Sequence, residues 1–479
     1  MISAWAALAT ALLLAAPGEA YDQQVSSTFW AQGYSIPAYD GSMISRRRFV
    51  EDLHLAAWNL IPGSDDPYYR GPRISVEMKL RLDTDFAVTD RESRASQEAS
   101  YVPGLTPMQA DMMFAYVDAR GFWDGALDAR AGRQIRLDTV GFFAFDGIET
   151  TMHMPAYIDV SAYFGWEVRG GDILGFEQLE LDGVDSGGRG SLENGLYGDR
   201  TDPEPRMAFG TEASWYPTRW FDAGVAVRLV GLSEELAEQR VAGRFSLGHK
   251  PMRVAGRVLW SPMLDRRDDF SKALSEGTAV TEADFSMTVI PIDALEVAAE
   301  YTLFRPTFEA DSIFNVFDLT PRRDVGGKVT TRPTRPLSIA VWGYARLSEN
   351  SAGLDGTEDS ATFSGVVGGL GANWREDVRR LSARLSAQRD WGETRVGAEI
   401  GGGHGLFSNR LWLGLRLSYW KLEDDFSSAL AGDVFGYIGS VRFKLSEGAT
   451  VAGEIENYFG KGRDPRVVLL GLLQLDLWR

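Results

Sequence analysis

Four histidines, His54, His153, His249 and His404, are the only imidazoles in the chain, and each lies in a different stretch without paired ligand spacing. Histidine is the commonest general base, so this scatter offers no catalytic constellation. No Gly-x-Ser-x-Gly elbow, Walker loop or His-Glu-x-x-His motif occurs. A rim lipase or protease would need histidine joined by serine or aspartate, and no such set stands out. No catalytic residue and no enzymatic activity are therefore expected. Cysteine is absent, which removes disulfides, thiolate metal sites and a cysteine nucleophile. Asp83 with Asp85, or Glu423 with Asp424 and Asp425, could offer carboxylate oxygens to Ca²⁺, but acidic loop tips are as a rule simply solvated. Neither a metal nor a cofactor is expected.

Chemistry concentrates instead in arginine. At alternate positions of extended stretches, one face receives Arg81, Arg130, Arg136, Arg169, Arg228, Arg240, Arg244, Arg253, Arg257, Arg346, Arg384, Arg395, Arg416 and Arg442. Lys79, Lys444, Glu77, Asp128, Asp159, Glu167, Glu296, Glu300, Glu399, Glu454 and Glu456 share that face, and cations outnumber anions on it although the chain as a whole carries −18. Arg240, Arg244, Arg253 and Arg257 fall on one hairpin, with Arg228 on the strand before it. Such a ladder of planar guanidinium forks suits carboxylates and phosphates and lowers the barrier for anions. The alternative is that each arginine pairs with an opposing acid and only holds the shape. The surplus acid falls in connecting segments such as 170–205 and 265–269, and the acidic total argues against nucleic acid as a partner.

The elements that carry these residues have period two. Ile74, Val76, Met78, Leu80 and Leu82 alternate with Arg73, Ser75, Glu77, Lys79, Arg81 and Asp83, so a strand there is apolar on one face and polar on the other. The pattern returns at 158–168, at 411–419 and at 467–477. These strands run to about 10–13 residues, against about 5–6 for globular strands and about 9–11 for tilted membrane strands. Tight turns are expected at 121–124, 154–155, 216–219, 250–251, 291–293, 375–377 and 447–448. Longer segments alternate with them, at 170–205, 261–280, 305–311, 348–360 and 422–433. Counting back from the C-terminus keeps every tight turn on one side, and a strand at 24–34 puts the start of the mature chain on that side too. The pass yields 22 candidate segments, with 145–153 and 312–320 the weakest, and closure favours an even number between 18 and 22.

Residues 1–20 read as a secretory signal peptide, with an apolar run from Ala4 to Ala16 and small residues at Gly18 and Ala20. Residues 21–479 then form one domain. The expected fold class is all-β: a single transmembrane antiparallel up-and-down β-barrel of 18–22 strands in a bacterial outer membrane, its outer face against lipid. Outward aromatics such as Phe164, Trp166, Trp260 and Tyr419 fit interfacial girdles.

Between residues 130 and 150 the chain reads Arg-Ala-Gly-Arg-Gln-Ile-Arg and then Phe-Asp-Gly-Ile-Glu-Thr. This resembles a strand–loop–strand of large outer-membrane porins related to alginate-export barrels, with Gly132, Arg133, Gln134, Asp146 and Gly147 at the matching positions. Period two places Arg133 on the outer face, which fits a rim or a position after a bulge. The resemblance implies a wide, arginine-lined barrel that passes an anionic polysaccharide outward, with periplasmic export components as partners and 170–205 as a gating loop. A diffusion porin for small anions or sugars is the alternative, and a surface-binding or purely structural barrel is a third reading.

Overall fold

The structure, a computed structural model, describes residues 22–37, 43–61, 71–85, 108–168, 206–232, 235–261, 280–304, 322–348, 362–390, 393–424, 431–460 and 463–478. The alternating sequence forms 22 antiparallel strands. The first eleven are β1 (Asp22–Pro37), β2 (Met43–Trp58), β3 (Arg73–Asp85), β4 (Met108–Gly121), β5 (Leu127–Leu137), β6 (Phe142–Met154), β7 (Ile158–Glu167), β8 (Met207–Thr218), β9 (Phe221–Leu232), β10 (Glu235–His249) and β11 (Met252–Trp260). The remainder are β12 (Val280–Ile292), β13 (Leu295–Phe304), β14 (Arg322–Thr334), β15 (Leu337–Ser348), β16 (Thr362–Glu376), β17 (Arg379–Asp390), β18 (Glu393–Leu406), β19 (Leu411–Asp424), β20 (Gly432–Lys444), β21 (Ala449–Gly460) and β22 (Arg463–Trp478). Each pairs with its neighbours in sequence, and β22 pairs with β1, where Leu473 meets Phe29. The sheet is thereby closed, and closure is what lets a sheet exist in lipid, because every ladder group there must find a partner.

The alternation sorts the two faces. Val76, Phe164, Trp166, Val225, Leu381, Leu385, Ile400, Leu413, Leu415, Leu417 and Leu469 are exposed apolar side chains on the outer surface. The charged positions between them face inward. A closed antiparallel barrel with an apolar exterior is an outer-membrane architecture, and the chain is an outer-membrane β-barrel protein.

All seven expected tight turns lie at one end of the barrel, joined by two more, 335–336 and 407–410. The expected alternation of short and long connections is less regular. At the turn end, β2 and β3 are separated by residues 59–72, while at the opposite end β5 and β6 are joined by only 138–141. The weak candidate at 145–153 is β6. The candidate at 312–320 lies outside the described residues, and β13 pairs directly with β14. Residues 1–20, Arg169, the segment 170–205 and Asp425 also lie outside them, as do the side chains of Asp83, Asp85 and Asp424.

Candidate functional site: an inward hairpin on an arginine wall

The wall changes character at one row of glycines. Gly132 of β5, Gly147 of β6 and Gly165 of β7 stand directly opposite one another across three strands. Gly132 has φ +124, and a Cβ there would run into the Ala115 carbonyl of β4. A Cβ on Gly147 would likewise strike the backbone of Phe164 and Gly165. Only glycine permits both the positive φ and this approach of backbones, so the row acts as a crease. Above it β5 leaves β4: their ladder runs only from Ala119↔Ala129 to Ala115↔Arg133.

Past the crease the β5–β6 hairpin turns into the lumen and lies on the inner face of β7 to β11. Phe143 and Phe145 pack with Tyr163 of β7, Ala208 of β8 and Val230 of β9 in one buried cluster. At the tip, Val140 packs with Ala226 of β9, Ala242 of β10 and Leu259 of β11. Burying each such side chain is worth about 1.5–3 kcal/mol, enough to hold a short hairpin off the wall plane. The tip itself is an Asx turn, in which the Val140 and Gly141 amides donate to Asp138 Oδ1 at 2.9 and 3.1 Å.

Arginines fasten this layer. Arg257 of β11 donates through Nε to the Thr139 carbonyl at 2.9 Å and through Nη2 to the Val140 carbonyl at 3.0 Å. Its Nη1 reaches Glu282 of β12 at 2.9 Å. Arg244 of β10 donates to Thr139 Oγ1 at 3.0 Å and to Asp222 and Ser214. Arg228 of β9, 2% exposed, donates to the Phe142 carbonyl at 3.1 Å and covers the Phe143 ring. Arg136 on the hairpin reaches back across β6 to β8, pairing with Asp138, Glu149 and Glu212 and donating to Ser161 at 2.7 Å. Thr139 Oγ1 donates to the other Glu212 oxygen at 2.7 Å. The arrangement is a clamp in which the arginine donors go to acids, to the Thr139, Ser161 and Ser214 hydroxyls and to the carbonyls of the tip.

The resemblance residues form the crease and its seal. Arg133 points to the outer side, as period two requires, and its guanidinium grips Asp146 at 2.6 and 2.8 Å while Nη1 reaches the Met112 carbonyl of β4 at 3.4 Å. Gln134 is fully buried, and its side-chain amide donates to the Gly147 carbonyl at 3.2 Å. This pentad thus builds the bend that turns the hairpin inward.

The other arginines divide. Arg81 pairs with Asp52 at 2.8 Å, Arg130 with Asp118 at 3.2 Å and Arg346 with Asp324 at 2.8 Å. Arg244 and Arg257 are cross-strand partners and Arg240 faces Arg228, so the expected ladder exists in the register. Arg253, Arg416 and Arg442 are exposed and have no ion pair among the described residues. On β16 to β20 the inner face is rich in glycine, with Trp342, Trp412 and Trp420 lying over Gly369, Gly403 and Gly397. Arg384 stacks on Trp342 and Arg380 on Trp412, each at 4.8 Å. Arg395 lies on the inner face of β18, beside Gln388. Among the histidines, His153 sits between Asp128 and Asp159 at 3.1 and 2.8 Å, and His54 lies 3.9 Å from Glu77.

The inward hairpin is what sequence reading missed. One signal was present: Arg133 at an outward position of the strand pattern.

No known family model matches the chain, and no curated protein does. Solved structures that resemble it include Acinetobacter baumannii OccAB3, at 10% identity and TM-score 0.41 over 95% of this chain and 98% of that one. Pseudomonas aeruginosa OpdK with vanillate gives 6% identity and TM-score 0.44 over 95% and 98%. Acinetobacter baumannii OccAB1 gives 10% and 0.41 over 97% and 99%. Likeness of this size carries no argument about what the chain transports.

Proposed function

We propose that this protein is an outer-membrane diffusion channel for small anions. The observation that carries this reading is the β5–β6 hairpin, held inside the lumen by Arg228, Arg244 and Arg257. A polymer sliding outward would need a continuous bore and a free arginine track, whereas here the richest part of the track is occupied by protein. Export of an anionic polysaccharide with periplasmic components is accordingly the weaker reading. Anions are left with the opposite wall, where Arg384, Arg416 and Arg442 stand exposed on the inner faces of β17, β19 and β20. Weak contacts with water-exposed guanidinium groups are what conduction requires, since binding must be neither absent nor tight.

The test is the reversal potential of single channels in planar bilayers under a potassium chloride gradient. Wild type should prefer chloride over potassium, and the triple variant Arg384→Glu, Arg416→Glu, Arg442→Glu should prefer potassium. Equal selectivity in the two proteins would defeat the proposal.

A further inference from the structure

The polar groups of β7 to β11 are not all spent on the hairpin. On the turn side of the clamp, the periplasmic side of an outer-membrane barrel, the wall holds a cavity of about 510 Å³. Two of its lining residues, Asp222 of β9 and Ser246 of β10, are cross-strand partners on the inward rows of Arg228 and Arg244. The cavity therefore belongs to the lumen and lies next to the hairpin tip.

Three aromatic residues wall it: Tyr157 from the β6–β7 turn, Tyr216 from the end of β8 and Trp220 from the β8–β9 turn. The Tyr157 and Tyr216 rings meet edge to face at 6.4 Å. Tyr216 is held from behind, because its hydroxyl donates to Asp159, whose other oxygen meets His153 Nδ1 at 2.8 Å. The polar lining keeps groups that the clamp does not use. Arg219 is exposed and has no ion pair among the described residues. Arg253 is the same, and it pairs in register with the lining residue Gly248, its Cγ 3.8 Å from where a Cβ on Gly248 would stand. Asp222 bonds to Arg244 through Oδ1 only, which leaves Oδ2 as an acceptor.

Each part narrows the ligand. Two guanidinium groups without an acid select an anion, and a carboxylate matches their fork. Aromatic walls accept an apolar ring face, in a cavity of the size that small ligands occupy. The free oxygen of Asp222 and the Ser246 hydroxyl call for hydroxyl groups on the ligand, which an aromatic acid such as benzoate does not bring. We propose that the cavity binds a sugar acid, a single pyranose ring carrying one carboxylate. This rests on the anion-channel reading, of which it names the substrate class. Arg219 and Arg253 draw the carboxylate, Tyr216 and Trp220 take the C–H face of the ring, and a ring hydroxyl donates to Asp222.

Isothermal titration of the full-length protein in detergent micelles with sodium galacturonate tests the site. Saturable binding is expected in wild type, weakened about tenfold in Arg219→Gln, Arg253→Gln by the loss of charged hydrogen bonds. Galactose, without the carboxylate, and benzoate, without the hydroxyls, should each bind about tenfold more weakly than galacturonate. No saturable binding of galacturonate, equal binding by the double variant, or benzoate binding as tightly would overturn the proposal. The cysteine-free chain gives a second measurement should the double variant not fold. Saturating galacturonate should slow the reaction of Ser246→Cys with a neutral methanethiosulfonate, and galactose at the same concentration should not. Equal rates with and without galacturonate would also overturn the site. Chloride preference without galacturonate binding would refute the site alone, whereas binding in a channel without chloride preference would refute the channel reading and leave the site.

Discussion

Two stretches of the inner wall carry arginine in the same alternating pattern and use it in opposite ways. On β7 to β11, Arg228, Arg244 and Arg257 are engaged by the β5–β6 hairpin, and their donors end on acids, on the Thr139 and Ser214 hydroxyls or on the carbonyls of Thr139, Val140 and Phe142. On β16 to β20, Arg384, Arg416 and Arg442 are exposed beside glycines and flat tryptophans. Engagement makes the difference: Arg228 is buried, and Arg244 and Arg257, half-buried, are each held by an acid and by the hairpin tip. A guanidinium so engaged must have all its charge answered, so removing a partner is costly. An exposed one is solvated, contributes about 0.5–1 kcal/mol through stacking on a ring, and stays available to a passing ion. The first wall is architecture and the second is the conducting surface.

Mutations should separate the walls, and the largest effect belongs to the clamp. Arg136→Met leaves Asp138, Glu149 and Glu212 without their shared cation, and stranding buried charges costs about 3–5 kcal/mol. A loss of that size is expected in urea titrations followed by tryptophan fluorescence in lipid vesicles. Next comes the crease. Gly147→Val drives a side chain into the backbone of Phe164 and Gly165, and overpacking of this kind costs about 3 kcal/mol. The same titration should show it, and Gly371→Val, where the nearest obstacle is only the end of the Trp342 ring at 3.3 Å, should cost clearly less.

A smaller change in stability with a large change in conductance is expected from Arg244→Met with Arg257→Met. The tip and the wall acids would lose the donors that reach Thr139, Val140, Asp222 and Glu282, but the apolar packing of Val140 would remain. Single-channel conductance should rise as the hairpin loosens, and an unchanged value would mean that the tip does not narrow the path. The smallest effect on stability should follow Arg384→Gln, Arg416→Gln and Arg442→Gln together, each within about 0.5 kcal/mol as for other exposed positions. Their chloride preference should nonetheless fall.

The legibility of this molecule in its sequence follows the same division. Period two reported strands whose outer face meets lipid, because one environment acts along the whole element, as at Ile74 to Leu82 and Leu411 to Tyr419. Turns marked by proline and aspartate at 250–251, 291–293 and 375–377 were equally plain. The crease was not, because Gly132, Gly147 and Gly165 are far apart in the chain and become a row only once the register of three strands is known. Nor were the arginine partners. Thr139 lies 118 positions from Arg257, and nothing local distinguishes Arg257, which is engaged, from Arg253, which has no ion pair among the described residues. The anomaly at Arg133 was the readable trace: a charge at an outward position of the alternation fits a rim or a bulge, and the structure puts the crease there.

Both walls take their roles from the hairpin tip resting against β10 and β11, and chemical cross-linking tests that contact most directly. In the cysteine-free chain, Val140→Cys with Leu259→Cys can be treated with a short bifunctional thiosulfonate in intact outer membranes. Near-complete bridging is predicted, with a single-channel conductance equal to that of the unbridged protein. Absence of bridging, together with ready reaction of the thiol introduced at position 140 with a bulky external maleimide, would place the tip outside the lumen and contradict the clamp.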